Sequence, residues 1–326
     1  MVKKNKRLGN ENKRSSTFYF FSNIIDYAGL FPPAQLSLEE AIRNYIAYQR
    51  DNDAWMLGHF IIPVTRLDEL TPYASLFSEK NPLNISAIGQ RSLDAESCID
   101  LLTSDMKRIA VFLKKHRKAV NVKVFEMPLP PAVPNRRLLD EISQKTQKYN
   151  LQTFCEVTVA FNDKWKQQML LTLNEIAIHN NNNDSRLGLK LRTGGVTADA
   201  FPTPEQVAIV LHGCCERSIP QKFTAGLHHP IRIYREEVKT KMHGFLNVFT
   251  AGMLARTRDL DRSTISEILA DEDASNFTFT DEGIAWKNMV VSVAELQHLR
   301  RNALSSYGSC SFDEPREDLR VLNIIE

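Results

Sequence analysis

The feature that most constrains this chain is a regular exchange of short apolar runs and helical segments over about 240 residues, joined by short connections. Residues 18–26 form an apolar run stopped by Gly29 and the Pro32-Pro33 pair, and Ser37 and Glu40 then stand at capping-box spacing ahead of a helix. Strand-like runs follow at 56–63, 83–89, 120–127 and 151–159, alternating with helical spacing over 66–77, 93–117, 136–149 and 164–179. Two further strands begin at Leu187 and near Lys222, separated by a helix over 204–217 for which Thr203 is the N-cap. Residues 241–249 supply the eighth expected strand and 251–258 the last helix. This alternation predicts an α/β fold, an eight-stranded parallel β/α (TIM) barrel over 17–260. No Gly-x-Gly-x-x-Gly follows the first run, which argues against a dinucleotide-binding open sheet.

Beyond residue 260 the pattern changes. Phe277-Thr-Phe-Thr and Ile284-Ala-Trp, joined through Asp281-Glu-Gly283, read as a hairpin, and 293–304 as a helix. The segment 261–326 is too small to bury much core alone, so it is expected to be an extension packed on the barrel. Residues 1–16 hold six Lys/Arg and one Glu, a local +5 that leaves the rest of the chain at −3 against a net +2. That start reads as a disordered basic tail. The body lacks the electrostatic footprint of a nucleic-acid-binding domain, and no run reaches transmembrane length. Five cysteines, two of them the adjacent Cys214-Cys215, form neither a disulfide framework nor a zinc spacing. A reducing cytoplasm is the expected compartment, and a small molecule the expected partner.

Active residues of a barrel gather at the carboxyl ends of its strands and on the loops that follow. That rule collects Asp26, His59, Glu126, Glu156, Lys190, Arg192, Lys222, His228, His229, His243 and Asn247. Lys190 and Lys222 stand inside short apolar runs, where a lysine is costly unless it is paired or neutralised. Strand alternation puts Lys190 and Arg192 on one face. If the faces of both strands point inward, the two amines share a cavity, where each lowers the other's pKa and exposes a neutral nucleophile for Schiff-base formation. Glu126 or Glu156 is then the proton shuttle. Arg192 and the Gly194-Gly195 turn would anchor an anionic group, and His228-His229, His59, Asp26, His243 and Asn247 would complete a substrate-binding mouth.

Lys190-Leu-Arg-Thr-Gly194 and Lys222-Phe-Thr-Ala-Gly226 resemble the class I deoxyribose-phosphate aldolase family, which carries its Schiff-base lysine on strand six in a Lys-x-x-x-Gly context and a second lysine on strand seven. The resemblance implies a carbon–carbon lyase that needs no cofactor. Arg192 and Leu227-His-His-Pro230 depart from the aldolase pattern. Over its whole length, through Ile25-Asp-Tyr-Ala-Gly-Leu-Phe-Pro-Pro33, Met242-His-Gly-Phe-Leu-Asn-Val-Phe249 and Gly308-Ser-Cys-Ser-Phe-Asp-Glu-Pro315, the chain also resembles a bacterial barrel family of similar length, which brings no activity with it.

Two alternatives stay open on the residues alone. His59, Glu126, Glu156, His228 and His243 are types that bind a divalent metal, although their spacing includes no tight ligand pair. In the second, the lysines pair with carboxylates and lock a non-catalytic binding or scaffold barrel.

Overall fold

The computed structural model describes residues 16–159 and 161–326; the expected basic tail, up to residue 15, lies outside the described residues. The chain opens with α1 (Ser16–Phe21) and enters β1 (Ile25–Tyr27), α2 (Leu38–Tyr48) and β2 (Leu57–Pro63). A run of 3-10 turns over Val64–Leu76 leads to β3 (Leu83–Ile88), α3 (Ala95–His116), β4 (Val120–Pro128), α4 (Arg136–Gln147) and β5 (Gln152–Glu156). Next come α5 (Trp165–Asn182), β6 (Leu187–Arg192), α6 (Pro204–Glu216) and β7 (Gln221–Thr224). A small hairpin of β8 (Ile233–Arg235) and β9 (Thr240–Met242) precedes α7 (Phe245–Thr257) and α8 (Arg262–Ala270). The last part holds β10 (Phe277–Phe279), β11 (Gly283–Trp286), β12 (Met289–Ser292), α9 (Val293–Asn302), β13 (Leu304–Ser309) and α10 (Asp313–Val321).

Eight parallel strands close into one barrel in the order β1-β13-β7-β6-β5-β4-β3-β2. The chain folds as a TIM barrel. Its helices start where the residues dictate: Ser37 with Glu40 and Thr203 with Gln206 form reciprocal capping boxes. Apolar side chains on the outer strand faces, such as Phe60, Phe125 and Phe223, pack under the helices and are fully buried. Full burial of such a side chain contributes about 1.5–3 kcal/mol. Among the described residues no helix is long and apolar enough to cross a membrane.

The closing strand is not where periodicity placed it. Residues 241–249 split between β9 and the start of α7, and the eighth barrel strand is β13. Phe245, Leu246, Val248, Phe249, Ala251, Met253 and Leu254 are all fully buried, so α7 is apolar all round and its period cannot be told from that of a buried strand. In β13 the sequence Leu-Ser-Ser-Tyr-Gly-Ser carries small polar residues and no apolar signature, because Ser306 faces a charged interior. The barrel therefore runs past residue 260 to Ser309. The three-stranded antiparallel sheet β10-β11-β12, with α8 and α9, is inserted before the last strand rather than appended as an extension.

Residues 18–21 are helical, with Phe20 and Phe21 packed against Phe279, so the first strand is confined to Ile25–Tyr27. Pro72, which lacks an N–H donor, lies inside the 3-10 run that replaces the helix expected over 66–77.

Candidate active site

Barrel interiors are ordinarily packed with branched apolar residues. Here inward positions carry an unbroken chain of ionised and polar groups. Lys190 and Lys222 are register partners on β6 and β7, and Glu156 is the register partner of Lys190 on β5. Lys190 Nζ stands 2.5 Å from Glu126 Oε2 and 2.7 Å from Glu156 Oε2. The other Glu156 oxygen accepts from Arg192 Nη1 at 3.3 Å. The Lys222 ammonium donates to Asp26 Oδ2 and, at 2.9 Å, to Ser306 Oγ, and lies 3.5 Å from Glu126 Oε1. Ser86 Oγ donates to Glu126 Oε1 at 2.6 Å. Three carboxylates thus meet three cations, and Asp26, Glu126 and Lys222 are completely buried.

Desolvating an isolated charge costs several kcal/mol even after relaxation, so these ions persist in the interior only as a paired set. Their protonation follows from that pairing. Burial alone pushes the Glu126 carboxyl up, but Lys190, Lys222 and the Ser86 hydroxyl outweigh it and hold it below the usual carboxylate range. Burial is likewise outweighed at Glu156, by Lys190 and Arg192, and at Asp26, by Lys222 and His59. Lys190 moves in the direction opposite to the expected one. Burial favours the neutral amine, yet Glu126 and Glu156 hold its pKa above that of an ordinary lysine. The expectation that Lys222 depresses Lys190 is corrected, because a carboxylate, Glu126, lies between them.

Asp26 and His59 form a separate dyad at the other end of the chain of contacts. Asp26 Oδ1 accepts the His59 backbone N–H at 2.6 Å and lies 3.0 Å from His59 Nδ1. An ionised carboxylate only accepts, so Nδ1 carries the hydrogen and Nε2 keeps its lone pair in the neutral ring. Gly58 makes room for this dyad, since a Cβ there would stand 2.1 Å from Asp26 Oδ1.

At the Arg192 end the network reaches a cavity of about 270 Å³ above β5 and β6. Glu156, Arg192 and Arg91 bring charge to its lining, and Val157, Phe161 and Trp165 contribute apolar wall. Lys190 lies one side chain behind that lining, through Glu156.

The remaining expected site residues are elsewhere. Gly194 and Gly195 do not line the cavity; a Cβ on Gly194 would come within 2.9 Å of Gly226 Cα and one on Gly195 within 2.6 Å of Ala200 Cβ, so both serve close loop packing. His243 is buried with Nε2 2.7 Å from the Pro202 carbonyl, and burial pulls its pKa down to about 4. Asn247 accepts from Arg232 N and donates to the Ile268 and Asp271 carbonyls, tying α7 to the end of α8. His229 is held 2.6 Å from Asp318 on α10. His228 meets Cys310 and Glu314, apart from the lysines. Among the described residues no three His, Cys, Asp or Glu side chains are grouped to hold a metal ion.

Ser86, Ser306 and Arg91 escaped the sequence reading. Arg91 lies two residues past Gly89, and the strand-end rule extended along that loop finds it; a lone serine in a strand carries no such signal.

No family model matches the chain, and no curated protein does. Among solved structures, the chain is similar to the carboxyl transferase domain from Rhizobium etli pyruvate carboxylase with 3-bromopyruvate, at 12% identity and a TM-score of 0.29. The match covers 97% of this chain and 56% of that one, so the chain spans little more than half of its length.

Proposed function

We propose that this barrel is an enzyme acting on a small, anionic, carbonyl-containing metabolite through an imine on Lys190. The observation that carries the reading is the position of Lys190 Nζ, between two carboxylates 2.5 and 2.7 Å away and one side chain behind a cavity lined by Arg91 and Arg192. Guanidinium groups recognise carboxylate and phosphate oxygens, and the apolar wall suits a short carbon chain.

The resting lysine is an ammonium ion and must lose a proton before it attacks. Glu156 is the acceptor in this reading. A substrate anion that takes over Arg192 strips Glu156 of one of its two cations and raises its proton affinity. The amine then adds to the carbonyl carbon, Glu156 returns its proton to the departing hydroxyl so that water leaves, and the imine draws electrons from the neighbouring carbon, whose proton passes to the freed Glu156 carboxylate or to Glu126. Lys222 and Ser86 keep the Glu126 charge balanced meanwhile. The carbon–carbon lyase chemistry implied by the aldolase resemblance is one outcome of such an imine.

The test is proton exchange at the carbon beside the carbonyl. Pyruvate and glycolaldehyde phosphate incubated with the protein in deuterium oxide are expected to take up deuterium, with no uptake for Lys190→Arg. Uptake that survives this substitution, or none with any small keto acid or aldehyde, overturns the imine. A second reading, a non-catalytic binding barrel, is favoured by one observation: both ammonium groups are matched by carboxylates at rest. Binding of these anions at the cavity with no exchange supports that reading instead.

A further inference from the structure

The cavity above β5 and β6 divides its polar and apolar groups unevenly. Arg91, Arg192 and Glu156 bring charge to it, and Thr158 is the other polar side chain of its lining. The Thr158 hydroxyl already donates to the Leu129 carbonyl at 2.8 Å. Once an anion occupies the two guanidinium groups, the lining side chains have no further hydrogen-bond donor to offer. Val157, Phe161, Trp165 and Met169 supply apolar wall. Trp165 and Met169 are no more than 3% exposed, and the Phe161 and Trp165 rings lie 5.2 Å apart, so this wall is in place before a ligand arrives.

Charge limits the ligand further. The cations Lys190, Lys222 and Arg192 are balanced by the carboxylates Asp26, Glu126 and Glu156. Arg91 forms no ion pair among the described residues, so it leaves one positive charge over at the cavity. A monoanion cancels that charge. A second negative group would lie against Glu156 with no cation left to meet it. Distance limits the reacting end. Arg192 Nη1 is 3.3 Å from one Glu156 oxygen and Lys190 Nζ is 2.7 Å from the other, so a single carboxylate spans the two cations. A ligand whose anionic group takes Arg192 brings its carbonyl toward Lys190 only if the two groups are on adjacent carbons.

We propose that the cavity takes a 2-oxo monocarboxylate with an apolar, branched or aryl tail: the carboxylate on Arg192 and Arg91, the adjacent carbonyl toward Lys190, the tail against Phe161 and Trp165. The placement of the carbonyl rests on the imine reading, whereas the charge and tail preferences rest on the cavity alone. A hydroxylated tail leaves its hydroxyls without partners among these side chains, which disfavours sugar-derived substrates.

Calorimetric titration of the native full-length protein at neutral pH with 4-methyl-2-oxopentanoate, pyruvate, 2-oxoglutarate and glycolaldehyde phosphate tests the assignment. The branched acid is expected to bind about tenfold or more tighter than pyruvate, because an isobutyl group replaces a methyl group against the wall. It is expected to exceed 2-oxoglutarate and glycolaldehyde phosphate by about tenfold as well, since each carries a second charge. Trp165→Ala is expected to bring the branched acid and pyruvate within about threefold of each other. If removal of the buried indole unfolds the chain, Phe161→Ala, at a ring 37% exposed, reads the same ratio. Deuterium uptake beside the carbonyl separates this proposal from the imine. The predicted order of affinities without uptake supports the ligand class and removes the imine. Uptake together with equal or tighter binding of 2-oxoglutarate or glycolaldehyde phosphate keeps the imine and overturns the class. No binding of the branched acid, or no preference for it over pyruvate, also overturns the class.

Discussion

Lys190 Nζ lies 2.5 Å from Glu126 Oε2 in the barrel interior, and neither side chain is more than 3% exposed. Removing one member of such a pair strands the other charge, which costs about 3–5 kcal/mol. Lys190→Met is therefore expected to lower stability by about that amount in urea unfolding. Lys190→Met combined with Glu126→Gln is expected to recover more than about 1 kcal/mol, since neither stranded ion remains at that contact. Simple additivity of the two substitutions contradicts the pairing.

Arg192 divides stability from function. Its side chain is 41% exposed, and its contact with Glu156 is 3.3 Å long, so the pair contributes little to folding. Arg192→Ala is expected to change stability by less than about 1 kcal/mol. It is expected to weaken pyruvate binding, measured by calorimetry, about tenfold or more, as the loss of a charge-assisted hydrogen bond implies. Unchanged binding removes Arg192 from the site.

His243 sets an acid limit on the fold. Its folded pKa is about 4, below the ordinary 6.5, so the unfolded chain binds the extra proton more readily. The stability contributed by the buried neutral ring is then complete above about pH 6.5 and is lost as pH falls toward 4, a change of roughly 3 kcal/mol. His243→Gln is expected to flatten the unfolding free energy over that window while lowering it at neutral pH. A slope as steep as the wild type's contradicts the assignment.

The barrel and its lysines were legible in the sequence because seven of its strands keep a clear alternation with helices and a lysine in an apolar run is conspicuous. The eighth strand was not, since Ser306 faces charged groups and Gly308 carries no side chain, which leaves β13 without hydrophobic periodicity, while the uniformly apolar α7 imitated a strand. The carboxylates gripping the lysines were visible as residue types; only the closure of the sheet put Glu126 between two amines. His243 and Asn247 were misplaced together with the false strand.

Closure by β13 gives its own test. A chain ended at residue 303 leaves β1 and β7 without their shared neighbour and removes the Ser306 hydroxyl from Lys222 and Asp26. It is expected to show no cooperative urea transition. A transition with the full-length midpoint contradicts the topology.

Borohydride reduction in the presence of pyruvate or glycolaldehyde phosphate, followed by peptide mapping, tests the central claim most directly. The account predicts one stable adduct, on the peptide that contains Lys190, absent from Lys190→Arg and diminished in Arg192→Ala. Adducts scattered over exposed lysines, or none at all, contradict it.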